Sequence, residues 1–288
     1  MPSTIIITAA DGGYFELLRG LMHSLEVQSG GRDIPLGVFD LGLTQEQRGW
    51  LAKRASVIIE PGWDLEVPEH VRAERPHARG LTVRPFLPRH FPGYDIYLWI
   101  DADVWLQDWR GVELYGLGAQ RGCLTATPHS DRAYRVRSDV LSYRRHQLQI
   151  GYGKDLADRL FLQHHLNAGI FAAPSDSSVW DDWAVAYQEG IAASGGVMMS
   201  DQVALNVACF RHRQKLQMLP ALCNWQCHLA LPFWDPDAGR FCEPFLPHQP
   251  ISMLHLTHET KGGAFDIRGL DGRRRQMRLR APRRGAAA

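Results

Sequence analysis

Lysine is scarce in this 288-residue chain: Lys53, Lys154, Lys215 and Lys261 stand against 28 arginines. So strong a bias reflects base composition more than chemistry, but it makes each lysine worth weighing. Cysteine is sparse too. Cys123, Cys209, Cys223, Cys227 and Cys242 are odd in number and irregular in spacing, which argues against a disulfide framework. Cys223-x-x-x-Cys227-His228 has no second pair to complete a tetrahedral zinc site. No apolar run approaches the roughly 18 residues that span a bilayer. Asp11 and Glu16 interrupt the apolar start, so no secretory signal is read. Reduced thiols without a leader predict a cytoplasmic protein. Neither G-x-G-x-x-G nor the phosphate loop G-x-x-x-x-G-K-[ST] occurs, and there is no internal repeat.

What is present describes an ordinary globular chain, 45% hydrophobic and 22% charged. Its net charge of +1 hides an asymmetry. Seven of the 32 basic residues lie in 273–288, which holds no acid, leaving 25 bases against 31 acids elsewhere. An acidic body with a basic end does not suit nucleic acid. We therefore expect a domain over 1–272 and a flexible basic tail over 273–288, suited to peripheral contact with an anionic membrane face or lipid.

Strands and helices alternate in the first half, which predicts an α/β fold with a mostly parallel sheet. Thr4–Thr8, Leu36–Phe39, Val57–Ile59 and Ile96–Ile100 read as strands. Tyr14–Val27 and Thr44–Arg54 read as helices. The last of these strands runs into Asp101-Ala102-Asp103. In an extended chain residues i and i+2 share a side, so the two carboxylates can converge past the strand end. Their repulsion is relieved by a hard divalent cation such as Mn²⁺ or Mg²⁺. Strand ends are also where open α/β sheets bind ligands.

Other residues extend the pattern. Ala9-Ala10-Asp11 follows the first strand. Arg84 lies 17 residues before Asp101. Asn167-Ala168-Gly169 reads as a small-residue turn entering a strand. Ser200-Asp201-Gln202 stands at a helix start, where capping is the plain alternative. His255 lies on a late apolar strand, with Lys261 six residues on.

In this order, from Thr4 to Lys261, these residues resemble the metal-dependent GT-A glycosyltransferases. The likeness is greatest to glycosyltransferase family 8, the group of glycogenin and the bacterial lipopolysaccharide galactosyltransferases. The resemblance implies a Rossmann-like GT-A fold and transfer of a sugar, with retention, from a nucleotide-sugar donor to a glycan, lipid-linked or other hydroxyl acceptor. UDP is the implied nucleotide. It implies Mn²⁺ or Mg²⁺ on Asp101, Asp103 and His255. It places Ala9, Asp11, Arg84, Ala102 and Lys261 on the donor, and Asn167, Asp201 and Gln202 at its sugar. The chain departs from the pattern at Gly13, at His258 and at Gly262-Gly263 after the lysine. Two other classes use the same residues: an inactive sugar-nucleotide binder, and a metal-dependent phosphoesterase or nucleotidyltransferase.

Overall fold

The computed structural model describes residues 2–135 and 137–280. The β-branched run at the start forms β1 (Thr4–Ala10). A turn leads into α1 (Phe15–Glu26), whose buried Phe15, Leu18, Leu21, Met22 and Leu25 recur at helical spacing. β2 (Leu36–Asp40), α2 (Gln45–Leu51) and β3 (Val57–Ile59) follow. Thr44 and Gln47 form a capping box at the start of α2. Residues 61–90 fold into short pieces: α3 (Glu69–Glu74), α4 (Arg79–Thr82) and α5 (Leu87–His90). Pro76, Pro85 and Pro88 each stand at the first turn of a helical piece, where the missing N–H costs nothing.

The second half begins with β4 (Ile96–Ile100) and β5 (Val104–Leu106), then α6 (Arg110–Gln120) and β6 (Leu124–Pro128). A helical excursion, α7 (Ser138–Tyr152) and α8 (Lys154–Leu160), precedes β7 (Leu166–Pro174). Then come α9 (Val179–Ala193), α10 (Asp201–Arg211), β8 (Leu216–Met218) and β9 (Trp225–Gln226). The chain ends with β10 (Phe233–Asp235), β11 (Arg240–Cys242), β12 (Met253–His255), β13 (Phe265–Arg268) and β14 (Arg274–Met277).

Seven strands form the central sheet in the order β3-β2-β1-β4-β7-β6-β8. Only β7 runs against its neighbours, β4 and β6. The chain leaves β1 toward β2 on one side and returns to β4 on the other. That reversal opens a crevice at the C-terminal ends of β1 and β4, where Asp11 and Asp101 stand. Alternate residues of β4 serve two cores: Tyr97 and Trp99 pack on one face, Ile96, Leu98 and Ile100 on the other. A separate three-stranded sheet, β5-β12-β9, closes the crevice from the C-terminal side.

Two expectations change. Asn167 and Gly169 lie within β7 rather than in a turn before it, because the strand's antiparallel pairing with β4 continues past Ile170. Part of the expected tail is a strand: β14 pairs with β13, and Arg274 and Arg275 form ion pairs with Asp266 and Asp271. Residues 281–288 of that tail lie outside the described residues. Among the described residues, no helix is long and apolar enough to cross a membrane.

Candidate active site

The acidic pair meets by a route the extended-chain argument did not foresee. Residues 101–103 are a turn, closed by the Val104 N–H donating to the Asp101 carbonyl at 3.0 Å. The turn hands the chain from the central sheet to β5. There β5 pairs antiparallel with β12 in a register that sets His255 opposite Val104. His255 Nε2 consequently lies 3.2 Å from Asp103 Oδ1 and 3.7 Å from Asp101 Oδ2. One ligand atom from each of Asp101, Asp103 and His255 falls within 4.8 Å of the others. Among the described residues no other trio of His, Cys, Asp or Glu converges in this way.

The surroundings fit a hard divalent cation. His255 Nδ1 is hydrogen-bonded to Asn224 Oδ1 at 3.0 Å, which leaves the Nε2 lone pair facing the carboxylates. Asn224 is in turn oriented by donating from Nδ2 to Asn167 Oδ1, at 2.8 Å. Two carboxylates and an imidazole suit Mn²⁺ or Mg²⁺ better than a soft metal. Gly169 makes room for the group: a Cβ there would stand 2.3 Å from His255 Cε1 and 2.8 Å from Asp101 Oδ2. Asn224 was not singled out from the sequence. It follows a cysteine in a segment without periodicity, and only the pairing of β9 with β12 brings it to His255.

The two aspartates are held differently. Asp101 accepts from Trp99 Nε1 and from Arg84 Nη2, each at 2.7 Å. Burial and its acidic neighbour hold its carboxyl above the usual range, with Arg84 opposing. Asp103 is also buried, but His255 and Lys261 outweigh that burial and bring its carboxyl down to about 2. Lys261 Nζ lies 3.0 Å from Asp103 Oδ2 and over the Tyr14 ring, 5.3 Å from its centroid. That contact joins the late loop to the first turn, where Asp11 Oδ1 accepts from the Tyr14 N–H.

Arg84 occupies the middle of the network. Its guanidinium lies over the Trp99 ring, 4.6 Å from the centroid, and also donates to Asp201 Oδ2 at 2.7 Å. Burial acts to lower the pKa of Arg84, but Asp101 and Asp201 more than offset it and raise the value. At the α10 start the two candidate roles separate. Ser200 supplies the cap by accepting from the Val203 N–H, while Asp201 pairs with Arg84. Burial lifts the Asp201 carboxyl, and Arg84 counters it. Gln202 Oε1 accepts from both Asn167 Nδ2 and the Ala168 N–H, at 3.0 Å each. Asp101, Ala102, Asp103, Arg84, Asn167, Asp201, Gln202, His255 and Lys261 are therefore one connected group. Ala9 and Asp11 stand across the crevice at the end of β1.

No family model and no curated protein sequence matches this chain. Solved structures do match over most of its length. An active-site mutant of LgtC is 17% identical, covers 88% of this chain and 87% of its own, and superposes with a TM-score of 0.53. Galactosyltransferase LgtC in complex with donor and acceptor sugar analogues gives the same identity and coverage, with a TM-score of 0.54. The bifunctional glycosyltransferase WbbM, without ligand, is 13% identical with a TM-score of 0.56, over 90% of this chain and 46% of its own. This chain accordingly has the GT-A glycosyltransferase fold, with the acidic pair at the C-terminal end of its central strand.

Proposed function

We propose that this protein is a metal-dependent glycosyltransferase that moves a sugar, with retention, from a UDP-sugar to a hydroxyl acceptor. The observation that carries the reading is the convergence of Asp101, Asp103 and His255 at the crevice between β1 and β4. The likeness to glycosyltransferases of known structure supports it.

Asp101, Asp103 and His255 would hold Mn²⁺ or Mg²⁺. When bound, the ion supplies Lewis-acid stabilisation of the charge that grows on the departing diphosphate. Lys261, on the flank of Asp103, adds a fixed positive charge beside that leaving group. Asn167 and Gln202 fix the sugar by hydrogen bonds, and their mutual bond presets their geometry. Asp201 is buried and clamped by Arg84. That clamp favours an electrostatic part at the anomeric carbon over attack as a nucleophile. Ala9 and Asp11 would meet the nucleotide, and the basic C-terminal residues would dock on an anionic, lipid-bearing surface.

The deciding experiment follows nucleoside-diphosphate release from a panel of sugar nucleotides, with Mn²⁺ and with EDTA. Release from one donor, lost with EDTA and nearly abolished in Asp101→Asn and Asp103→Asn, is the expected result. Wild-type turnover in either variant at the same metal concentration would sink the assignment. Release of inorganic phosphate or diphosphate instead would indicate a phosphoesterase or nucleotidyltransferase.

A further inference from the structure

Beside the donor residues lies a cavity of about 560 Å³ with a lopsided charge. Four arginines line it, Arg132, Arg135, Arg137 and Arg144, against one acid, Asp131. Two of the arginines are already neutralised: Arg132 pairs with buried Glu243, and Arg137 with Asp139. Both Asp131 oxygens are taken by backbone N–H groups, of Ala133 and Ala221. Arg135 and Arg144 form no ion pair among the described residues. Arg135 is exposed. Arg144 is half-buried, and its one hydrogen bond is to the Phe161 carbonyl at 3.3 Å. Partial burial holds Arg144 below the usual arginine value, and no carboxylate among the described residues pairs with it.

The inner wall of this cavity touches the donor residues. His129 Nε2 accepts from Asn167 Nδ2 at 3.2 Å, and His165 Nε2 accepts from Gln202 Nε2 at 2.9 Å. Both imidazoles are uncharged at neutral pH: burial and Arg144 bring His129 down to about 3 and push His165 well below its ordinary value. They relay position, not charge. A molecule in the cavity is thus one layer of side chains from the groups assigned to the donor sugar.

We propose that this cavity binds the anionic part of the acceptor, a phosphate or carboxylate held by Arg144 and Arg135, while the reacting hydroxyl extends out of it to the donor sugar. The inference rests on the glycosyltransferase reading for the word acceptor, and on the cavity alone for the anion. A guanidinium presents two parallel donors to either group, and one held away from water binds it with less competition from solvent and salt.

The test is calorimetric titration of the full chain with hexose phosphates, hexuronates, the parent hexoses and inorganic phosphate, with and without UDP and Mn²⁺. At least tenfold tighter binding of an anionic hexose than of its parent is expected. Arg144→Gln should remove that preference and Arg144→Lys should keep most of it. Arg135→Gln, at an exposed position, should weaken it and serves if the Arg144 variants do not fold. The phosphate and uronate arms identify which anion is preferred. Equal binding of charged and neutral hexoses, or of none, overturns the proposal. Inorganic phosphate binding as tightly as any hexose phosphate reduces the cavity to an ion site and overturns it too. Failure of UDP to bind with Mn²⁺ counts against the glycosyltransferase reading, and is read separately from the hexose preference.

Discussion

Gly169 and Asn224 support the trio without belonging to it. Gly169→Ala drives a methyl group into the His255 ring and the Asp101 carboxylate, and overpacking of this kind costs about 1–3 kcal/mol. Weaker Mn²⁺ binding by titration, together with lower stability in urea, is the expected pair of results. Unchanged metal affinity would mean that His255 is not a ligand. Asn224→Ala frees the imidazole to rotate and leaves the fold's strands intact. Losing such a partner costs about 10–100-fold in metal affinity, which the same titration reads. The sequence exposed Asp101, Asp103, His255 and Lys261 because each has a distinctive chemistry at a fixed order along the chain. Asn224 lacked that. Its role depends on its Nδ2 donating to the distant Asn167 Oδ1 while its Oδ1 faces His255, and no linear pattern carries that fact.

Among the elements, legibility followed length and burial. Ile96–Ile100 and Val57–Ile59 are strands with the bounds their apolar runs suggest. The helix after Thr44 ends three residues earlier than expected, at Leu51. Thr44→Ala removes its capping box, and a loss of about 1 kcal/mol is expected from urea unfolding. The pieces that escaped reading are short or weakly patterned. β5 and β9 hold three and two residues, too few to show alternation. α7 leaves Tyr143 largely exposed and buries few apolar side chains, so its periodicity is faint. Asn167 and Gly169 are poor strand formers by propensity. The long-range pairing of β7 with β4 overrides that preference, and the His255 imidazole passes where a side chain at 169 would be.

Across the whole molecule, the uncharged histidines set a pH limit. His165 is buried, and its folded-state value lies well below the ordinary one. The unfolded chain takes up that proton first, so this share of stability is complete above about pH 6.5 and drains away as the pH falls. The slope is at most about 1.4 kcal/mol per pH unit for each of His165 and His129, the latter brought down to about 3. Tm measured between pH 7.5 and 5.5 should fall, and His165→Gln should flatten the slope. A metal that binds only the folded chain acts the other way, adding about 2.7 kcal/mol at a hundredfold excess over Kd. A rise in Tm with Mn²⁺ that Asp103→Asn abolishes would locate that binding.

The pairing of β5 with β12 also has a consequence for synthesis. The central sheet uses residues 4–218, but His255 reaches Asp103 only through β12, a strand made after that sheet is complete. A ribosome releases these segments in order. A nascent chain can build the whole central sheet and still lack His255, the third residue of the candidate cation site. Donor affinity should therefore switch on only after the segment carrying β12 has been made and has left the ribosome.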